Sequence, residues 1–295
     1  MNGFLNKQPA TAQLATLIGF FIAFFLIYFA VMQLLLPSIS GGYTYETLYA
    51  AAKKDSSLLP YLKLTQILYT TIVFLVPAVI FLYLCYPQPF QETGLAKGPS
   101  IYNLVFTLLI MASALPLVAA LMEWNASWPV GDTLVNLEKE AEEQTKRLLY
   151  MPNVGSLIVN LLMVAAIPAL AEELFFRGAM QPIVTKVVRN GFVAVIITSV
   201  IFSAIHMQFL TFLPRFGLSI ILGCIYLISG NLWLSIIAHF CNNALSVILF
   251  YSGQTETDES YSWYITALSG AVVLALFLMM RRSNKHTALA PTENN

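Results

Sequence analysis

Residues 157–178 read LIVNLLMVAAIPALAEELFFRG. The run is long and apolar enough to enter a bilayer, yet it ends on Glu172, Glu173 and Arg177. An ionisable side chain near the centre of a membrane helix costs about 2.5–3.5 kcal/mol on insertion scales. Three together therefore oppose insertion unless something offsets them. Glu173 and Arg177 stand at i, i+4, so they can pair on one helical face. Glu172 points about 100° away from that face and has no such partner. Either the three sit at a membrane interface, or they belong to a polar site inside the membrane.

Composition places the rest of the chain in the same solvent. Of 295 residues, 58% are hydrophobic and only 10% charged, and the mean hydropathy is +0.73. A soluble domain carries roughly a quarter charged residues. The apolar residues gather into runs of about 20, the length that crosses a ~30 Å hydrocarbon core. They fall near Leu14–Leu36, Leu64–Cys85, Tyr102–Met122, Leu157–Phe176, Phe192–Met207, Phe216–Ser229, Leu232–Tyr251 and Ser262–Met280. The expectation is an all-α integral membrane protein, a bundle of about eight transmembrane helices. The sixth run is short, and reads as a half-span or as a helix extended through Phe209–Phe212. Ala15–Leu36 is too long for a signal peptide and reads as a retained first span.

Three regions follow: 1–150, three transmembrane helices with polar loops; 151–252, a helical core with the polar cluster; and 253–295, an acidic loop, the last span and a polar tail. Ser38–Tyr61 reads as a loop. Leu137–Leu149 is a mixed-charge helix expected to lie solvated over the membrane surface, with substrate gating as the alternative. Glu256, Asp258 and Glu259 make the segment before the last span acidic. Lys and Arg near helix ends (Arg281, Arg282 and Lys285; Lys186 and Arg189) place both termini in the cytoplasm, against Lys53 and Lys54. A net charge of zero argues against a nucleic-acid partner. Cys85, Cys224 and Cys241 lie in apolar runs and read as buried small residues, neither a disulfide framework nor a metal site.

Two of the three histidines, His206 and His239, also lie in apolar runs, and Asn243 follows His239 at i+4. If the Glu172 helix continues to a turn at Arg189-Asn190-Gly191, Glu172 lies about 27 Å before that turn and His206 about 24 Å after it. An antiparallel hairpin then brings both to nearly the same depth. A carboxylate, two imidazoles and an amide can hold and deprotonate a water, with Glu as general base or through a bound Zn²⁺; both routes hydrolyse an amide. There is no H-E-x-x-H pair, no Gly-x-Ser-Gly and no Gly-x-Gly-Asp string for the other intramembrane protease types. A proton-coupled carrier is the rival reading, though no paired repeat supports it. A non-catalytic immunity or scaffold protein is another.

These strings resemble the CAAX prenyl protease and bacteriocin-processing (Abi) family of intramembrane endopeptidases, whose pattern is E-E-x-x-x-R, then F-x-x-x-H, then H-x-x-x-N or H-x-x-x-D. Here they are Glu172-Glu173 to Arg177, Phe202 to His206, and His239 to Asn243, and the match covers roughly 157–249 with no departure. The resemblance implies that Glu172 activates water with His206 helping to hold it, that His239 and Asn243 bind a metal or the oxyanion, and that Glu173 and Arg177 support Glu172. If zinc is present, its ligands would be Glu172, His206, His239 and Asn243; a metal-free glutamate route stays open. Partners would be membrane lipids and a membrane-associated peptide, prenylated or leader-type. The expected location is a bacterial plasma membrane.

Overall fold

The computed structural model describes residues 3–254 and 261–289, so Glu256, Asp258, Glu259 and the final residues lie outside the described part. Every regular element in it is helical. Seven helices are long and apolar enough to cross a membrane: α1 (Ala10–Ser40), α2 (Ser56–Cys85), α3 (Ile101–Ala126), α5 (Val154–Val188), α7 (Phe212–Ser229), α8 (Leu232–Tyr251) and α9 (Trp263–Asn284). The amphipathic α4 (Asp132–Leu148) follows α3, and the shorter apolar α6 (Gly191–Ala204) follows α5. Large apolar side chains face outward, among them Leu34 at 78% and Trp263 at 82% exposure. Water would penalise such a surface and lipid does not.

Three expectations need correction. Ser38–Tyr61 is not one loop: α1 runs to Ser40, a short helix spans Tyr45–Ala52, and α2 already starts at Ser56. The fifth span, Gly191–Ala204, stops short of its apolar run to Met207, while the sixth extends back to Phe212, as the second reading of that run had it. The last helix runs past Met280 to Leu289, where a polar tail was expected. In the last helix good helix formers, among them Arg281, Arg282 and Lys285, carry it beyond the end of the apolar run.

Three π-helical stretches punctuate the spans, at Thr71–Leu75, Leu161–Ala166 and Leu174–Met180. Each ends two residues before a proline: Pro77, Pro168 and Pro182. Proline lacks an N–H and crowds the carbonyl four residues back, so the ladder shifts to the wider i→i+5 register ahead of it. The helix thus bends its register without breaking, and α5 remains continuous from Val154 to Val188. Glu172 and Glu173 lie between its two π stretches.

The expected hairpin is present. Arg189 closes α5 in the left-handed conformation (φ 57°), and the Asn190 side chain caps α6 by accepting from Phe192 N at 3.0 Å and Val193 N at 3.1 Å. With 14 residues, α6 is only about 21 Å long. It stops short of a full span and leaves non-helical backbone at 205–211. Such backbone is tolerated at depth only where protein covers it. Asn125, fully buried at the end of α3, does so: it donates to Phe209 O at 3.1 Å and accepts from Leu213 N at 2.7 Å.

α4 has no buried residue, as a solvated surface helix should. It is nevertheless tethered at several points. Lys53 Nζ meets Glu143 Oε2 at 2.8 Å, and Arg147 donates to Ala52 O and to Ser56 Oγ. Near its middle, Glu138 Oε1 accepts from Leu210 N at 3.0 Å.

Candidate active site

The most buried stretch of α5 carries the charges. Leu174–Met180 is wholly buried, Glu173 is 0% and Arg177 1% exposed. Their ion pair, expected from the i, i+4 spacing, closes at 2.7 Å between Arg177 Nη1 and Glu173 Oε1. Arg177 Nη2 also donates to Ser219 O at 3.0 Å and Ser219 Oγ at 2.8 Å on α7. Its guanidinium carbon lies 5.0 Å from the centre of the Phe202 ring. A buried cation with each face engaged in this way is a structural post that ties α5 to α6 and α7.

Glu173 also reaches α8. His239 Nδ1 lies 2.9 Å from Glu173 Oε1. A carboxylate flanked by Arg177 is an acceptor, so His239 carries its proton on Nδ1 and leaves Nε2 with a free lone pair. That Nε2 stands 4.0 Å from Glu172 Oε2. Glu172, unlike its neighbour, keeps 14% of its side chain exposed.

His206 lies just past the end of α6, in the turn at 205–206, and not within a helix as its apolar run implied. Its Nδ1 is 2.7 Å from Phe202 O, a carbonyl, which again fixes the proton on Nδ1 and frees Nε2. Phe202 stands between the two imidazoles, its ring centre 5.1 Å from His206 and 6.1 Å from His239. Asn243 donates from Nδ2 to Val164 O at 3.0 Å, beside the first π stretch of α5. Its Oδ1 accepts from Asn242 Nδ2 at 3.2 Å.

The donor types suit zinc, which takes His and carboxylate ligands. Their spacing does not. Among the described residues no three His, Cys, Asp or Glu side chains converge as a metal cage. The chemistry below therefore uses only the chain's own groups.

Residues 154–245 match the model of a family described as type II CAAX prenyl endopeptidase Rce1-like. The match spans less than a third of the chain, and it is to the family group that the three motifs resemble. No curated protein and no solved structure matches the chain. The matched residues include Glu172, Glu173, Arg177, His206, His239 and Asn243.

The motifs did not point to Ser219, which accepts from Arg177, nor to Arg215, which interacts electrostatically with Glu172. One signal for Arg215 was available: it is a lone cation in the first turn of an apolar helix, placed outside that helix by the hydropathy window. Beside the region lies an apolar cavity of about 400 Å³ between α1, α5 and α6, with Phe21, Phe176, Met180 and Ile205 in its wall.

Proposed function

We propose that the chain is an intramembrane endopeptidase that hydrolyses a peptide bond of a membrane-associated substrate through water activated by Glu172. The observation that carries this reading is the 4.0 Å gap between Glu172 Oε2 and His239 Nε2. It is too long for a direct hydrogen bond. A water about 2.8 Å from each would subtend about 90° between them, so one molecule can donate a proton to both.

In this reading the water oxygen attacks the peptide carbonyl carbon as Glu172 takes its proton. The carbonyl π pair moves to oxygen. Asn243 Nδ2, which gives one N–H to Val164 O, keeps a second N–H to offer that developing oxyanion, and the open Nε2 of His206 can only accept, so it helps hold the water. As the intermediate collapses, the C–N bond breaks and Glu172 returns the proton to the leaving nitrogen. Glu173 takes no proton; it holds His239 in the tautomer that leaves Nε2 open toward the water.

The apolar cavity beside Phe176 and Ile205 suits a lipid chain attached to the substrate, which fits a prenylated or otherwise lipidated peptide. Basic residues at the α5–α6 turn, Lys186 and Arg189, favour the cytoplasmic side for that turn. The test is cleavage of a lipidated-peptide pool by the purified protein and by Glu172→Gln, read by mass spectrometry with zinc content measured alongside. Products from the parent and none from folded Glu172→Gln support the reading. No Glu172-dependent product across the pool shifts it to a binding or carrier role.

A further inference from the structure

His206 stands on a stretch of chain that is held in place from outside. It follows the end of α6, and residues 205–211 run without helix until α7 begins at Phe212. The next residue, Met207, has φ 54°. A residue with a Cβ rarely adopts that left-handed backbone, which persists only where the surroundings over-determine it. The Met207 side chain is 90% exposed, so its own packing does not supply the restraint.

Hydrogen bonds further along the stretch supply it. Ser203, fully buried on α6, gives its hydroxyl to Phe212 O at 2.6 Å. Asn125, also fully buried, reaches in from the last turn of α3. Its Nδ2 donates to Phe209 O at 3.1 Å, and its Oδ1 accepts from Leu213 N at 2.7 Å. Leu210 N donates to Glu138 Oε1 on α4 at 3.0 Å.

These bonds do different things. The Ser203 bond closes the chain from 203 to 212 and leaves the path between them free. The Glu138 bond touches one backbone group and comes from a helix with no buried residue. Asn125 binds twice, once inside the stretch and once in the first turn of α7, so one planar amide sets the distance between those two points. An Asn near a helix end usually bonds its own local backbone. This one spends both its bonds on the segment that carries His206.

The path of that segment matters to the imidazole. His206 Nδ1 lies 2.7 Å from Phe202 O, in the last turn of α6. The ring keeps that partner only while the backbone at 206 stays within its reach. We propose that Asn125 is a positioning residue for His206: by bridging Phe209 O and Leu213 N it holds 205–211 in the strained path that keeps the imidazole on Phe202 O with Nε2 open. Asn125 lies outside the matched residues 154–245, so those residues do not complete the arrangement by themselves. What His206 does in a reaction rests on the endopeptidase reading; its placement by Asn125 does not.

The chain has three histidines, so ¹⁵N-histidine labelling of the full protein in detergent gives a spectrum that His206→Gln and His239→Gln can assign. The parent should show His206 as one sharp Nδ1-protonated tautomer. In Asn125→Ala its signals should broaden or pass to mixed tautomers, while those of His239 hold. Asn125→Asp can still accept from Leu213 N but cannot donate to Phe209 O, and should fall between the two. On a peptide that the parent cleaves, Asn125→Ala should lower kcat by up to about 100-fold, the scale of a misplaced group, with KM little changed. The same substitution made in His206→Gln should cost little more, since both act through one ring. Thermal melting shows which variants fold, and if Asn125→Ala does not, Asn125→Asp decides by the same signals.

Unchanged His206 signals in a folded Asn125 variant overturn the proposal, as does an equal loss of kcat with and without the His206 imidazole. Altered His206 signals with no Glu172-dependent cleavage by the parent leave the positioning standing and remove the endopeptidase reading. Glu172-dependent cleavage with His206 signals indifferent to Asn125 does the reverse.

Discussion

A single oxygen of Glu173 holds two partners, lying 2.7 Å from Arg177 Nη1 and 2.9 Å from His239 Nδ1, while its other oxygen is buried without one. One carboxylate thus neutralises a buried cation and orients an imidazole at the same time. The two roles should separate on mutation.

Glu173→Gln removes the charge that balances Arg177. Breaking a buried pair in this way costs about 3–5 kcal/mol. The melting temperature in detergent should fall clearly, and the folded fraction should cut about 10–100-fold more slowly, the usual effect of losing a partner that orients a histidine. Normal activity with a lowered melting temperature would show that the contact with His239 is structural only.

Glu172→Gln keeps shape and removes the proton acceptor. Cleavage should drop about 10²–10⁴-fold, the range for a lost general base. The melting point should barely move, because Glu172 makes no ion pair shorter than 4.0 Å.

Asn243→Ala should show a mixed effect. Losing the bond to Val164 O costs about 1 kcal/mol of stability. If Asn243 also meets the oxyanion, kcat falls by a further 10²–10³-fold with little change in KM. Steady-state kinetics and a melting curve on one preparation separate the two.

The turn between α7 and α8 gives a test of the fold alone. Gly230 has φ 62°, and Gly94 (φ 75°) packs so closely on its carbonyl that an added Cβ would collide with backbone. The same loop receives Leu232 N at Thr93 O and Trp233 Nε1 at Leu95 O, each at 3.1 Å. Gly94→Ala should lower the melting temperature, since both the left-handed backbone and the missing space oppose it. Gly98→Ala, with nothing within 4 Å, should not.

Acidity should loosen α4. The hydrogen bond from Lys53, then its charge, holds the Glu143 carboxyl below the ordinary carboxylate range, and the same contact raises the Lys53 ammonium. A lowered acid contributes stability that is present above its unfolded pKa and is lost as pH falls through its folded one. Tyr49, Lys146 and Arg147 line the same cluster. Amide exchange across 132–148, taken relative to the unfolded-chain rate at each pH, should therefore be strongly slowed at neutral pH and less so in acid. Lys53→Met should quicken it at neutral pH, and added salt should narrow the difference.

Much of this was legible from residue order. Hydropathy gave the spans because lipid demands long apolar runs, and the Glu173–Arg177 spacing gave the ion pair because helical periodicity is fixed. The Arg189-Asn190-Gly191 turn was readable from its capping residues. The end of α6 at Ala204 was not, because Ile205 and Met207 continue the apolar run past the last helical turn. The pairing of Glu173 with His239 was also hidden. It depends on the facing angle that the π stretches before Pro168 and Pro182 impose on α5, and hydropathy carries no information about that angle. Asn125 and Glu138 escaped because each looks like an ordinary polar residue at a helix end or on a wet surface until both are seen to bond the 209–213 stretch.

The partners that complete the hydrogen bonding of the Glu173–Arg177 pair lie far downstream: Ser219 comes 42 residues after Arg177, and His239 66 residues after Glu173. At about 5–20 residues per second of synthesis, roughly 3–13 s separate the emergence of Glu173 from that of His239. Throughout that interval the nascent α5 carries Glu172 and a Glu173–Arg177 pair whose remaining hydrogen-bonding groups have no later helix to receive them. Lipid then disfavours α5 until α7 and α8 follow, which favours entry of the core helices together. Truncation after Ser229 should then leave α5 poorly inserted even though its own sequence is complete.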